Sequence, residues 1–360
     1  MSHAARVRFT LVAVVVAIAM LGVATHTQQT QLPSPYRLVA GWPTLPKSMN
    51  GGRWGELIRA DLDPRGNIWV FHRCFNTVPA GAATCVGRSE PPILQFDPAG
   101  QLLTSFGGGM FAFPHGFTVD GEGNVWASDA NGNETVLGMS ARGSNGLMRG
   151  QQVFKFSPAG KVLMTLGKAG VAGNGPDTFD RPTGVAVAAN GDIFVTDGHG
   201  KNDRVVKFSK DGRFIKAWGR HGAGPGEFDQ PHDVSIGGSQ GRVFVADRGN
   251  NRVQIFDQDG NFIAAWKQFG RPSAVFVSKD DTLYVSDSQS NSKVNPGATR
   301  GITVGSAKDG SLRAFIPDPD LGQVDVNRIS GASGITADDM GTIYAADVGT
   351  HNLRKYVKVK

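Results

Sequence analysis

The chain repeats one short pattern six times, and this repetition constrains its fold more than any single residue does. In each copy, an apolar strand is followed by a second strand whose aromatic residue lies twelve or thirteen positions after the start of the first. Two clear copies begin at Pro182 and Pro231 and end at Asp197 and Asp247. The aromatic residues of the other four copies are Trp69, Trp126, Tyr284 and Tyr344. Such regular repetition indicates a repeat architecture.

Each copy contains four strand-like segments. In the fourth copy they cover residues 234–236, 243–246, 252–256 and 262–266. Alternating apolar residues with Asp-Gly and Asn-Gly turns are typical of antiparallel hairpins. Because a four-stranded sheet cannot bury both faces alone, such sheets stack radially around a central channel. We therefore predict an all-β, six-bladed propeller over residues 36–360, and the 49 glycines fit its many tight turns.

The last copy lacks its fourth strand. It stops after the third strand near Tyr356, whereas residues 36–42 have the pattern of the missing strand. Joining the two termini in one blade would close the ring and leave no open seam. We therefore expect the N-terminal strand to complete the last blade.

The N-terminal 24 residues have the pattern of an export signal. Arg6 and Arg8 precede the apolar residues 9–23, and small residues follow at 22–24. Residues 1–24 are predicted to be a cleaved signal or an uncleaved anchor, with a polar tether over 25–35. The protein is then periplasmic or secreted, with a potential membrane tether. Cys74 and Cys85 are expected to form a disulfide there, the alternative being two free thiols.

The charge of the chain points to no nucleic-acid partner. A net charge of +6 would permit contact with an anionic polymer. The Lys and Arg residues are scattered, however, and are not interleaved with aromatic residues as in nucleic-acid sites. We expect a monomer that binds a small-molecule or peptide substrate carrying a carboxylate.

One face of the predicted propeller carries the long loops. The insertions at 73–92, 130–151 and 288–300 all join the second strand of a blade to the third. These loops share a face with the links between blades, and the turns of the opposite face are minimal. Because binding residues are concentrated on loops held by a rigid scaffold, this decorated face is the predicted binding surface.

Two histidines occupy equivalent positions at the mouth of the channel on this face. Aligning the six first strands gives a mouth ring of Ile58, His115, Thr183, His232, Ser273 and Ser333. Equivalent positions converge on the axis, so His115 and His232 could share a zinc ion or another divalent metal. The alternative is that each imidazole caps a local backbone group. His199, just beyond the second strand of the intervening blade, is a candidate third ligand.

The first blade carries a candidate catalytic arginine. Where the other second strands end in Asp, this blade has Phe71-His72-Arg73. Arg73 could bind a substrate carboxylate through two hydrogen bonds, or it could be a solvated charge at the rim. The Asp residues themselves are predicted to be structural and to hold N–H groups of the following turn.

The repeats resemble the NHL family, most clearly over residues 242–256, and this resemblance implies the propeller fold. Three site elements resemble those of the peptidyl-α-hydroxyglycine α-amidating lyases, zinc enzymes that release a peptide amide and glyoxylate. Phe71-His72-Arg73 is similar to their catalytic arginine element. The residues around His115 and His232 are similar to two zinc-ligand motifs. The resemblance thus implies zinc ligands at His115 and His232 and a catalytic role for Arg73.

The chain departs from this family at two places. The family's third zinc histidine, and an Asp associated with a structural calcium, correspond to Ser333 and Gly334. Its catalytic tyrosine corresponds to His199. A mechanism follows in which the metal lowers the pKa of a substrate hydroxyl and His199, if it is not the third ligand, takes the proton. Arg73 would hold the carboxylate while a C–N bond is eliminated.

Other functions remain open at this stage. The chain could be a non-catalytic propeller that binds a peptide, glycan or envelope protein on its decorated face, as the reduced ligand set suggests. A calcium-dependent lactonase is a further alternative, although the mouth ring contains no carboxylate. An RNA-binding role fits an exported protein poorly.

Overall fold

The computed structural model describes residues 31–75, 85–130, 148–321 and 331–359. The predicted export signal at 1–24 lies outside the described residues, as do most of the tether and parts of the first two insertions. The described residues form 24 β-strands and one short 3-10 helix, Asn50–Gly52. They contain no helix long and apolar enough to cross a membrane.

The strands form six four-stranded antiparallel sheets, as predicted. The N-terminal strand is β1 (Tyr36–Val39). Blade one consists of β2 (Leu57–Leu62), β3 (Ile68–His72), β4 (Ile93–Phe96) and β5 (Leu102–Phe106). Blade two consists of β6 (Pro114–Val119), β7 (Val125–Asp129), β8 (Gln152–Phe156) and β9 (Val162–Gly167). Blade three consists of β10 (Pro182–Val187), β11 (Ile193–Asp197), β12 (Arg204–Phe208) and β13 (Phe214–Trp218).

The remaining blades follow the same order. Blade four consists of β14 (Pro231–Gly237), β15 (Arg242–Asp247), β16 (Arg252–Phe256) and β17 (Phe262–Trp266). Blade five consists of β18 (Pro272–Val277), β19 (Thr282–Asp287), β20 (Gly301–Ser306) and β21 (Leu312–Pro317). Blade six consists of β22 (Ala332–Ala337), β23 (Ile343–Asp347), β24 (Asn352–Lys358) and the N-terminal β1.

Closure of the ring by the N-terminal strand is confirmed. β1 pairs antiparallel with β24, with Tyr36 opposite Lys358 and Val39 opposite Lys355. This pairing gives blade six its fourth strand. The ring therefore has no open seam, which removes an exposed sheet edge.

Large apolar side chains fill the space between neighbouring blades. The aromatic residues of the second strands are buried in every blade, and Trp69, Trp126, Phe194 and Phe244 are almost wholly removed from solvent. One cluster joins β3 of blade one to β6 and β8 of blade two through Phe71, Phe117 and Phe154. Burial of side chains of this size contributes roughly 2 to 3 kcal/mol each. These contacts hold the blades in fixed positions around the channel.

A bulge near the start of each first strand prepares the mouth ring. In blade four the register passes from Pro231 opposite Asp247 to Asp233 opposite Ala246, so His232 has no partner in the ladder. The other five first strands show a register shift at the equivalent position. Such a bulge re-aims a side chain. It explains how these strands can present one residue of each blade at the channel mouth.

The Asp residues that end the second strands are structural, as predicted, but their partners differ between blades. Asp287 and Asp347 accept hydrogen bonds from N–H groups of the turn that follows them. Asp129, Asp197 and Asp247, and also Asp287, accept from N–H groups of the link that precedes the first strand of their blade. These buried carboxylates therefore fasten the loops and links of the decorated face to the strands.

Cys74 and Cys85 form the predicted disulfide, with their Cα atoms 5.2 Å apart. Both residues are buried and belong to the apolar cluster between blades one and two. A disulfide is typical of proteins from oxidising compartments. It lies directly beside Arg73 and so braces the loop that carries this arginine.

Loss of the disulfide is expected to destabilise the propeller. A Cys74→Ala/Cys85→Ala variant should lose about 3 kcal/mol of unfolding free energy, because the unfolded chain regains the freedom of the loop. Urea unfolding measures this difference. Reductant should shift the wild-type midpoint in the same direction and leave the variant unchanged. Equal midpoints for variant and oxidised wild type would contradict the prediction.

Candidate metal centre and active site

Three histidines meet at the mouth of the channel. The ring centroids of His115 and His232 lie 4.7 Å apart. His199 approaches both, at 4.6 Å from His115 and 5.0 Å from His232. One potential ligand atom of each residue lies within 4.8 Å of the other two. The structure therefore brings together the two histidines of the mouth ring and the loop histidine proposed from the sequence.

Hydrogen bonds to neighbouring blades fix the two ring histidines. Nδ1 of His115 lies 3.0 Å from the carbonyl oxygen of Thr183, and Nδ1 of His232 lies 2.6 Å from that of Ser273. A carbonyl oxygen only accepts, so each Nδ1 carries the proton and Nε2 is the unprotonated nitrogen of the neutral ring. A backbone carbonyl bonded to one nitrogen is the usual support for a histidine that binds metal through the other. The imidazoles do bond to backbone groups, as the alternative interpretation predicts, and Nε2 of each is left for a ligand, so metal binding stays a prediction.

His199 is held differently, by an arginine. His199 follows β11, and its backbone N–H donates to the backbone carbonyl of Arg181. Nη2 of Arg248 lies 3.3 Å from Nε2 of His199. Because a guanidinium only donates, Nε2 of His199 is the acceptor and its neutral ring carries the proton on Nδ1. In this arrangement His199 is a proton acceptor, and the lone pair that a metal would need at Nε2 is directed at Arg248.

All three imidazoles are neutral around pH 7. Burial holds the pKa of His115, His199 and His232 well below the ordinary histidine value. The next largest influence on His199 and His232 is the positive charge of Arg248, and on His115 it is His199. A histidine binds metal through its neutral imidazole. These three residues are already in that form, so no proton has to leave them before a metal binds.

Arg73 is buried and paired rather than solvated at the rim. Its Nη1 lies 2.6 Å from Oε2 of Glu56, and its Nε donates to the carbonyl of Pro114 over 3.1 Å. The guanidinium also stacks over the ring of Phe113, with Cζ 3.8 Å from the centroid. Burial lowers the pKa of Arg73, and the carboxylate of Glu56 opposes this shift. A substrate carboxylate would have to reach the remaining nitrogen, Nη2.

Arg248 is a site residue that the sequence reasoning missed. It is buried, and its Nη2 contacts both Nε2 of His199 and Oε1 of Gln230. Burial and the nearby arginines lower its pKa to about 9. A signal was present in the repeats: Arg248 follows the second strand of blade four as Arg73 follows that of blade one. Two arginines at equivalent positions therefore lie near the histidines.

Comparison with known proteins supports the propeller fold and identifies similar proteins. A family described as a 6-bladed beta-propeller matches residues 181–294. Peptidyl-alpha-hydroxyglycine alpha-amidating lyase 1 of Drosophila melanogaster is 34% identical over 210 residues, which cover 54% of this chain and 34% of that protein. NHL repeat-containing protein 3 of Homo sapiens is 31% identical over 218 residues, covering 60% of this chain and 54% of that protein.

The chain is a six-bladed β-propeller homologous to amidating lyases and NHL-repeat proteins. It matches only 34% to 54% of the length of these two relatives. Among solved structures, a gluconolactonase from Xanthomonas campestris superposes with a TM-score of 0.55 at 16% identity, covering 89% of each chain. At this identity the likeness shows the fold alone.

The three histidines fit a zinc ion closely but not completely. Zn–N bonds of about 2.0 to 2.1 Å in a tetrahedron place the ligand nitrogens about 3.3 Å apart. Here the nitrogens lie within 4.8 Å, so small side-chain rotations would bring them into range. His115 and His232 have the supporting bonds of metal ligands, whereas His199 has an arginine donor. In blade six, Ser333 contributes its backbone carbonyl to Arg59.

Proposed function

We propose that this protein is an exported, zinc-dependent carbon–nitrogen lyase that cleaves peptidyl-α-hydroxyglycine or a closely similar substrate. The observation that carries the proposal is the meeting of His115, His199 and His232 within 4.8 Å at the channel mouth, with two of them fixed through Nδ1. Homology to a protein named as an amidating lyase supports the reaction class.

The histidines divide into two roles in this proposal. Nε2 of His115 and Nε2 of His232 would hold the zinc ion. A bound zinc ion supplies Lewis acidity that lowers the pKa of a substrate hydroxyl. His199 would take the hydroxyl proton at Nε2, which is unprotonated in the neutral ring, and the substrate would displace the hydrogen bond that Arg248 donates there.

The arginines would recognise the substrate's carboxylate. Arg73 and Arg248 flank the histidines and add positive charge to a buried site. Arg73 would offer its Nη2 to one carboxylate oxygen, because its Nε and Nη1 are bonded to Pro114 and Glu56. Loss of the hydroxyl proton, formation of the C=O bond of glyoxylate and cleavage of the C–N bond leave a peptide amide whose nitrogen regains a proton. The reaction needs no further reactant.

The proposal is tested with purified protein and a peptide ending in α-hydroxyglycine. We expect about one zinc per chain by metal analysis, and formation of glyoxylate and peptide amide above the spontaneous rate. Removal of zinc with a chelator should abolish the excess rate, and added zinc should restore it. A zinc-loaded protein that releases no glyoxylate would overturn the proposed substrate, and a protein that binds no zinc would overturn the whole proposal.

A second candidate function is non-catalytic binding on the decorated face. Two observations favour it. Ser333 stands in the mouth ring where a third histidine ligand could be, and Arg248 donates a hydrogen bond to Nε2 of His199. In this case the histidines and arginines would form a polar anchor for a carboxylate of a peptide or glycan. A protein that binds a peptide or glycan carrying a carboxylate, but binds no zinc and cleaves no hydroxyglycine peptide, would favour this function.

A further inference from the structure

The second layer of the channel, one residue beyond the mouth ring, contains a single pair of opposite charges. The six equivalent positions are Arg59, Gly116, Gly184, Asp233, Ala274 and Gly334. Arg59 belongs to blade one and Asp233 to blade four, which are opposite each other in a six-bladed ring. The other four residues are glycine or alanine. The layer is therefore built around one arginine and one aspartate that face each other across the axis.

Arg59 reaches across the channel and contacts three other blades. Its Nη1 donates to the carbonyl of Ser333 in blade six. Its Nη2 lies 3.3 Å from the carbonyl oxygen of Ser273 in blade five and 3.4 Å from that of His232 in blade four. The same nitrogen lies 3.4 Å from Oδ1 of Asp233. The guanidinium, on a residue only 3% exposed, thus sits among oxygens of three blades.

The glycines of this layer leave the space that the pair occupies. A Cβ atom on Gly334 would lie 2.7 Å from Cα of Arg59 and 3.0 Å from its Cδ. A Cβ atom on Gly184 would lie 2.7 Å from Oδ1 of Asp233. These distances are too short for ordinary contacts. An aspartate at position 334, which the amidating-lyase resemblance associates with calcium, would therefore collide with Arg59 in its present place.

We propose that the guanidinium of Arg59 is the channel cation of this propeller and that the protein holds no calcium in this layer. Three carbonyl oxygens and a carboxylate converge there, which is a donor set that suits a hard divalent cation. Here those oxygens face the N–H groups of Arg59, which supply positive charge and directed hydrogen bonds together. Because Arg59 already occupies this donor set, the residues present leave no place for the structural calcium associated with the resemblance. This inference rests on the channel contacts and not on the proposed lyase activity.

Arg59 is also a positioning residue for the histidine cluster. The carbonyl oxygen of Ser273 accepts from Nη2 of Arg59 and from Nδ1 of His232. The carbonyl of His232 itself is a further acceptor. The arginine therefore holds both the backbone of His232 and the group that orients its imidazole.

Calcium dependence of stability tests the proposal on the wild-type protein. After dialysis against millimolar calcium and then calcium-free buffer, metal analysis should find no retained calcium. The thermal unfolding temperature should be the same with and without calcium. Retention of one calcium per chain, or a rise of several degrees in the unfolding temperature on calcium addition, would overturn the inference whether or not any variant folds.

An Arg59→Ala variant tests the same idea from the other side. It leaves Asp233 and the three carbonyl oxygens without their cation, and its unfolding temperature should fall by roughly 5–10 °C. Millimolar calcium should restore part of this loss, because the vacated oxygens can bind it and a ligand of the native state stabilises it. Arg59→Lys should fall between wild type and Arg59→Ala.

The matched control is Arg65→Ala in the same blade, whose side chain is largely exposed and should change neither quantity. An Arg59→Ala variant as stable as wild type would contradict the proposal. So would a folded Arg59→Ala variant that is destabilised but indifferent to calcium.

Discussion

Substitution of alanine for either His115 or His232 is expected to remove zinc and lyase activity together. Each histidine would be one of only two direct ligands with a fixed, unprotonated Nε2. Loss of a partner that merely orients a ligand typically costs 10–100-fold in affinity, so loss of a ligand itself should weaken zinc binding by more than about 100-fold. Metal analysis after desalting and the rate of glyoxylate release measure the two effects.

A matched set of histidine variants makes this prediction specific. His351→Ala is the control, because this half-buried residue lies in the turn after β23 and belongs to neither group of described residues that could hold a metal ion. It should keep both zinc and activity. His199→Ala should keep zinc and lose activity if His199 accepts the substrate proton, whereas loss of zinc would identify it as the third ligand. Stoichiometric zinc in both His115→Ala and His232→Ala would rule out the proposed ligand pair.

The fold could be predicted from the sequence because its information is local to each blade. Alternating apolar residues and an aromatic second strand recur in every copy, and the strand missing at one terminus is matched by a spare strand at the other. The pairing of Tyr36 with Lys358 confirms that match. The mouth ring could also be located, since aligned repeats place equivalent residues at equivalent distances from the axis. His115 and His232 accordingly meet, although their binding of metal stays a prediction.

The partners of the charged residues could not be predicted from the aligned repeats. Arg73 pairs with Glu56, and the equivalent residues of blade four, Arg248 and Gln230, also contact each other, but no other blade has an acid at the position of Glu56. Arg59 spans the channel because glycines in other blades leave it room, a condition that involves residues more than a hundred positions apart. The contact of Arg248 with His199 depends on side-chain length across two neighbouring blades. Such interactions are set by three-dimensional packing, and the alignment of the repeats does not by itself show which side chains meet.

The pairing of Arg73 with Glu56 leads to a second large expected effect, which separates stability from catalysis. Arg73→Ala would leave the buried carboxylate of Glu56 without this ion pair, and breaking a buried pair in this way costs about 3–5 kcal/mol. Lyase activity should fall as well, because the substrate carboxylate loses a donor. Urea unfolding and steady-state kinetics at saturating zinc measure the two losses separately.

The double variant Arg73→Met/Glu56→Gln distinguishes the two roles of Arg73. It removes both charges while keeping similar volumes, so most of the lost stability should return, since replacing both partners of a buried pair is often nearly neutral. Activity should not return, because methionine cannot donate hydrogen bonds to a carboxylate. Recovery of full activity together with stability would show that Arg73 acts only by holding the loop of blade one. If the single variant Arg73→Ala is instead as stable as the wild type, Glu56 does not depend on this arginine. The ion pair would then not contribute to the stability of the fold.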